Sequence, residues 1–173
     1  MSMKKLCIVL IAISLVACNH GDPLEWGINS SDTTVSHPKR EIAAVLDTMH
    51  EGFQKKDFKQ LESCLTDDGL YLGTDPSQVW SKKQLTEYYD SNGADSGTVT
   101  YNLISRNILL SRNNNSAIAI EQFFSGGKSE KIMLRGVARL IYRNDEWKIN
   151  FYSWSMIPRN QDMNKINKAL ETP

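Results

Sequence analysis

Moving a proton inside a protein pocket requires a side chain that titrates near neutrality, or a carboxylate shifted toward it, within hydrogen-bond reach of the substrate. The chain offers three histidines, His20, His37 and His50. The first two fall in a polar stretch near the N-terminus. His50 lies one position off the centre of an apolar helical stripe with no partner evident, and reads as a histidine at the border of a core. Among the carboxylates, Asp67, Asp68 and Asp75 stand where turns and helix caps routinely use aspartate. Glu121 lies in Ala117-Ile-Ala-Ile-Glu-Gln-Phe-Phe124, on the parity of Ala117, Ala119 and Phe123. If that face is inward, Glu121 is a pocket carboxylate with a raised pKa. If Ile118, Ile120 and Phe124 face inward, it is a solvated sheet residue, and the larger gain from burying those side chains favours this second arrangement. Glu121 and Asp75 are kept as minor catalytic candidates. No metal site or cofactor is expected, because the chain's histidines and cysteines form no set of ligands.

The elements that would position these groups occupy one domain's length of chain, 173 residues. Lys and Arg total 20, matched by 20 Asp and Glu. With no net field and no basic stripe interleaved with aromatics, nucleic acid is not a partner of this chain. Lys4 and Lys5 precede an apolar run, Leu6 to Leu15, too short to span a bilayer. The run ends in Leu15-Val16-Ala17-Cys18, which resembles the lipobox of bacterial lipoproteins. Residues 1–17 are then a signal peptide, Cys18 the lipidated residue, and 18–37 a polar tether for a domain at 38–173. Lipid attachment makes the membrane a partner and places the protein in the cell envelope. Asn19 stands where an aspartate would favour inner-membrane retention, which points to the outer membrane. Cys64 would be the one remaining thiol, buried and inert.

Ile42, Val45, Leu46, Met49 and Phe53 follow the period of an amphipathic helix, and Phe58, Leu61, Cys64 and Leu65 give a shorter one. Asp67-Asp68-Gly69 reads as a turn and Leu70 to Gly73 as the first strand. Asp75, Pro76 and Gln78 predict a capped helical segment, and Ser81 with Gln84 predicts a second. Trp80 is held at the joint between them. From Thr98 the apolar period becomes two. A strand to Ser111, bulged near Arg106-Asn107, is followed by strands at 117–124, 131–143 and 146–155, the last two joined at Asn144-Asp145. Met163, Ile166 and Leu170 mark a closing helix. Helices first and an antiparallel meander afterwards define an α+β fold, a cone-shaped curved antiparallel sheet with helices packed on its concave face. Such a cone leaves a cavity at its open end.

This order of elements, with Gly73-Thr-Asp-Pro-Ser-Gln-Val-Trp80 and the ending Arg135-Gly-Val-Ala-Arg with Trp147-Lys-Ile-Asn-Phe-Tyr-Ser-Trp-Ser155, resembles the nuclear transport factor 2-like superfamily and its SnoaL-like group. The resemblance implies a conical fold, frequent homodimers and a pocket with many uses, from isomerisation and cyclisation to pure association. Many relatives carry histidines on the last strand where this chain has Phe151 and Ser153. A two-residue turn at Asn144-Asp145 places Arg139 opposite Asn150. Tyr71, Trp80, Trp147, Ile149, Phe151 and Ser153 are then expected to line a ligand pocket without histidine. The same register puts Arg135, Arg139, Tyr152 and Trp154 on the outer face, suited to a homodimer, with a one-residue change in the count reversing the assignment.

The expected function is an envelope lipoprotein whose cone binds a small apolar ligand or a protein partner without catalysis. The alternatives are an isomerase, cyclase or hydrolase using a pocket carboxylate, and an immunity- or inhibitor-type interaction module. The face occupied by Glu121 separates binding from chemistry.

Overall fold

The computed structural model describes residues 36–92, 100–126 and 132–171. The signal segment, Cys18 and nearly all of the tether lie outside the described residues. Helix α1, His37–Lys55, begins with Pro38 in its first turn and buries Ile42, Leu46, Met49 and His50. It ends at Lys56, whose backbone is left-handed (φ 56°) and returns its N–H to the carbonyls of Gly52 and Phe53. Helix α2, Phe58–Ser63, is capped by the Asp57 side chain, which accepts from the Gln60 N–H. The two helices meet at Gly52, where an added Cβ would lie 2.9 Å from the Leu61 nitrogen.

Strand β1 runs Leu65–Leu72, longer than its apolar run suggests. Asp67-Asp68-Gly69 is not a turn between helix and strand but an irregularity within the strand, lying between the Leu65–Ile149 and Leu70–Phe151 pairs. The expected capped helix at Asp75 does not form. Asp75 accepts from the Ser77 N–H at 2.8 Å, and its own N–H donates to Gln78 Oε1 at 3.2 Å. These capping-box bonds close a turn into strand β2, Val79–Trp80, instead of opening a helix. The second device does start a helix. Gln84 Oε1 accepts from the Ser81 N–H, and the Gln84 N–H donates to Ser81 Oγ, just ahead of α3, Lys82–Asn92.

Strands β3 (Thr100–Leu110), β4 (Ser116–Gly126), β5 (Ile132–Arg143) and β6 (Glu146–Met156) complete an open six-stranded sheet in the order β2-β1-β6-β5-β4-β3. Neighbours are antiparallel except β1 and β6, which run parallel. Helix α1 packs across to β3 and β6, and α3 covers β1. The core between layers holds Ile42, Leu46, Tyr71, Leu85, Leu140, Trp147, Ile149 and Tyr152. Helix α4, Met163–Leu170, follows Pro158 and a short 3-10 turn and buries no residue.

Two single-residue bulges decide which side chains face the helices. In β6 the pairs Leu140–Ile149 and Arg139–Phe151 leave Asn150 unopposed. Beyond it the alternation reverses, so Tyr152, like Ile149, points into the core although the two stand an odd number of positions apart. In β3 the pairs Leu103–Phe123 and Ser105–Gln122 leave Ile104 unopposed. That second bulge turns Tyr101 and Arg106, also an odd number apart, toward the same side.

Candidate active site

Glu121 sits on the inner face of the sheet and is 1% exposed. The expectation of a solvated Glu121 is therefore overturned. Ile118 is the exposed side chain, while Ala117 and Ala119 are buried. The small inward residues leave room for α1 to approach, and a satisfied ion cluster outweighs the burial lost at the isoleucines.

Four groups converge on this carboxylate. His50 Nε2 lies 2.8 Å from Oε2, and the Tyr152 hydroxyl donates to the same oxygen at 2.9 Å. Arg106 Nε donates to Oε1 at 2.7 Å, and the Tyr101 hydroxyl donates there at 3.1 Å. Arg106 extends the chain to Asp47 on α1, with Nη2 2.6 Å from Oδ1. The sheet builds this cluster by register: Arg106 pairs with Glu121, and Glu121 with Gly136. Only a glycine fits at 136, because a Cβ there would stand 2.1 Å from the Tyr152 hydroxyl as it reaches toward Glu121.

Burial pushes the Glu121 carboxyl up, but the hydrogen bond and charge of His50, joined by Arg106, overcome it and hold the group at about 2. The raised pKa expected for an inward Glu121 is thus replaced by a lowered one. Burial, with Glu121 beside them, raises both Tyr101 and Tyr152. They act as neutral hydrogen-bond donors. An ionised Glu121 only accepts, so His50 must carry its proton on Nε2 when neutral, leaving the lone pair on Nδ1. Among the described residues, Nδ1 takes no hydrogen bond. The imidazole is fixed by stacking on Tyr101 at 3.6 Å between ring centroids, with Tyr152 edge-on at 6.1 Å.

His50 also lines the floor of a cavity of about 320 Å³ between helices and sheet. The expectation of a pocket without histidine fails, because the histidine comes from α1 rather than from the last strand. The walls are aromatic, with Phe53, Phe58, Trp80, Tyr89, Phe123 and Trp154. Of the residues expected there, Trp80 lines the cavity. Tyr71, Trp147 and Ile149 are instead buried in the core. Tyr71 is held there by donating to the carbonyls of Thr66 and Ile149. Phe151 and Ser153 lie on the other sheet face, opposite Arg139 and Val137. Tyr152 and Trp154, expected outside, are the inward pair, and Arg135 and Arg139 are exposed on the outer face. Asp75 is an exposed turn residue, and its hydrogen bonds to Ser77 lower its pKa. Cys64 is buried, which raises its thiol pKa.

Sequence patterning does not single out Arg106, Tyr101 or Asp47 as site residues. Arg106 stands in β3 between the apolar pair Leu103-Ile104 and the apolar run Ile108-Leu109-Leu110, where an arginine turned toward the core must find a partner. That is the available signal. Among the described residues no group of three or more His, Cys, Asp or Glu side chains could hold a metal ion.

An open sheet wrapped by helices, with a titratable cluster in the resulting cone, defines a domain of the nuclear transport factor 2-like, or cystatin-like, architecture. Residues 42–159 match the SnoaL-like domain family, and the chain belongs to it. A nuclear transport factor 2-like protein of unknown function from Pseudomonas putida superposes with a TM-score of 0.62 at 15% identity, over 72% of this chain and 89% of that one. A candidate dehydratase of the same superfamily from Streptomyces avermitilis gives 0.57 at 17% identity, over 69% and 96%. A domain with a cystatin-like fold from Nostoc punctiforme gives 0.67 at 8% identity, over 81% and 90%. At these identities the likeness is one of fold. The comparison with curated proteins gave no match.

Proposed function

We propose that this SnoaL-like domain is an enzyme that moves protons on a small cyclic or aromatic substrate, in the manner of an isomerase or dehydratase, with His50 as the general acid–base. The observation that carries this reading is that His50, which lines an aromatic cavity, has its Nε2 2.8 Å from a buried, ionised Glu121 behind it. His50 Nδ1 takes a proton from the carbon next to a substrate carbonyl, the C–H pair passing into an enolate. Glu121 stabilises the imidazolium that forms. The imidazolium returns the proton to another carbon, which isomerises the substrate, or to a departing hydroxyl, which releases water. Glu121 is not itself the base, since Arg106 and two tyrosines saturate it. A candidate dehydratase among the fold neighbours is consistent with this chemistry.

The setting belongs to the same proposal. Cys18 carries the lipid that holds the domain in the envelope, at the outer membrane. Among the described residues no helix is long and apolar enough to cross a bilayer. Two copies meet through the outer sheet face around Arg135 and Arg139.

The chemistry is tested with 2-tetralone, a bicyclic ketone with exchangeable protons beside its carbonyl. Wild-type protein is expected to accelerate deuterium uptake from heavy water, and His50→Gln to lose that acceleration while still quenching tryptophan fluorescence on binding. Equal acceleration by both proteins, or none by either, rejects the reading. One observation favours binding without chemistry: the Glu121 oxygens already accept four hydrogen bonds. Retained binding with no exchange would select it.

A further inference from the structure

Taking the cavity as the substrate site, we propose that its mouth holds a subsite for a neutral hydrogen-bond acceptor, bound by the side-chain amide nitrogen of Gln78. The acceptor is a ketone or ester oxygen at the end of the ligand remote from His50. The proposal rests on the catalytic reading of that cavity and deepens it by naming the group its substrates carry there.

The Gln78 amide is oriented before any ligand arrives. Its Oε1 accepts from the Asp75 N–H at 3.2 Å. Its backbone closes the turn, donating to the Asp75 carbonyl at 3.0 Å and accepting from the Gly73 N–H at 2.9 Å. A backbone N–H can only donate, so the amide turns its oxygen toward Asp75 and its nitrogen away. The side chain lies folded against Gly73, where an added Cβ would stand 2.1 Å from Oε1. Among the described residues Nε2 has no hydrogen-bond partner. Closing the turn uses the oxygen alone, and the nitrogen is left for a ligand.

Gln54 repeats the arrangement on another element. It lines the same rim from α1, and its Oε1 accepts from the Tyr101 N–H at 3.2 Å. Both rim amides therefore have the oxygen occupied by a backbone donor and the nitrogen open. Polarity is graded toward them: His50 and Phe123 on the floor are buried, Gln78 is half-buried and Gln54 is exposed. A ligand satisfied at both ends is apolar in its body and carries its acceptor at the mouth.

The charges around the cavity favour a neutral ligand. Among the described residues its wall includes no Asp or Glu, and Lys56 at the rim already has a partner. Glu121, behind His50, is engaged by His50, Arg106 and two tyrosine hydroxyls. A charged ligand would leave water without a ready counter-charge, whereas a carbonyl oxygen meets a donor already in place.

The test replaces Gln78 with glutamate, which keeps an oxygen for the Asp75 N–H and puts a second acceptor where Nε2 stood. The probes are 2-acetylnaphthalene and 2-isopropenylnaphthalene, in which a methylene group replaces the carbonyl oxygen. Binding is followed at pH 8 by quenching of tryptophan fluorescence. Gln78→Glu should bind the ketone about tenfold more weakly than wild type and the hydrocarbon equally well. An unchanged ketone affinity, equal losses for both probes, or no binding of either at its solubility limit overturns the proposal. The selective ketone loss without any wild-type 2-tetralone exchange would sink the catalytic reading alone. Exchange by wild type with an unchanged ketone affinity in Gln78→Glu would sink this one alone.

Discussion

Arg106 Nε lies 2.7 Å from Glu121 Oε1, so the carboxylate that orients His50 is held from its other side by a guanidinium. The pair faces each other across β3 and β4, and Arg106 reaches on to Asp47 of α1. One arginine thus ties the sheet to the helix that carries the histidine. His50 and Arg106 both bear on a single carboxylate, which keeps it ionised despite its burial.

That ionisation makes stability depend on acid in a defined window. Glu121 titrates at about 2 in the fold, below its ordinary value of 4.5, so between those values the unfolded chain binds a proton that the native state lacks. Its contribution is complete above the unfolded value and disappears as pH falls to about 2, a loss of roughly 3 kcal/mol. Urea unfolding at pH 6 and at pH 3 should show about 2 kcal/mol of this fall, since pH 3 lies partway through the window, and Glu121→Gln should show a shallower one. Identical slopes for the two proteins would contradict the assigned pKa.

Replacing Arg106 with methionine removes one partner of a buried pair and leaves an uncompensated carboxylate. The expected cost is about 3–5 kcal/mol in urea unfolding. Because the cost lies in the stranded charge, Arg106→Met combined with Glu121→Gln should recover a large part of it. Additive losses in the double variant would mean that the two side chains do not interact as described.

Gly136→Ala should destabilise the domain by about 2–3 kcal/mol, since the new methyl collides with the Tyr152 hydroxyl at 2.1 Å. Tyr152→Phe removes that oxygen and with it a hydrogen bond to an ionised acceptor, at a cost of about 1.5–3 kcal/mol. The ring carbon behind it would still lie 2.8 Å from the alanine, so the double variant is relieved only in part. A thermodynamic cycle over the four proteins should give a coupling of opposite sign to the single costs. No coupling would place the hydroxyl elsewhere.

The proposed lipid anchor has a direct assay. Full-length protein should enter the detergent phase on Triton X-114 partitioning, and Cys18→Ser should stay in the aqueous phase, because the change would remove the acyl chains to which the proposal assigns the membrane affinity. Detergent-phase partitioning of both forms would remove the anchor from the proposal.

The architecture was legible because its signals are local. Periodicity marked α1, the four long strands and α4, and Ser81 with Gln84 marked the start of α3. The site was not, because two residues without opposing partners, Ile104 and Asn150, each reverse the inward–outward parity of the strand beyond them. Neither is a glycine or proline that would advertise a bulge; the one expected in β3 near Arg106-Asn107 falls at Ile104 instead, and none was expected in β6. A parity count from the Asn144-Asp145 turn is right as far as Ile149 and wrong beyond it, so Phe151 and Tyr152 exchange faces. At Asp75 the local hydrogen bonds formed as the residues suggest, but sheet pairing of Val79 and Trp80 took the backbone from the helix.

The bulge at Asn150 yields a discriminating substitution. Phe151 is half-buried on the face away from the helices, opposite Arg139, while its neighbour Tyr152 is fully buried against His50. Phe151→Asp should therefore leave the fold, the cavity and 2-tetralone exchange nearly intact, costing no more than about 1 kcal/mol in the isolated domain. Tyr152→Asp, one residue on, would bury a second carboxylate beside Glu121 and should prevent folding. If copies of the chain associate through this face, Phe151→Asp places charge in the contact and should shift sedimentation toward the monomer. Loss of the fold in Phe151→Asp would restore the unbulged register and remove His50, Glu121 and Tyr152 from a common site.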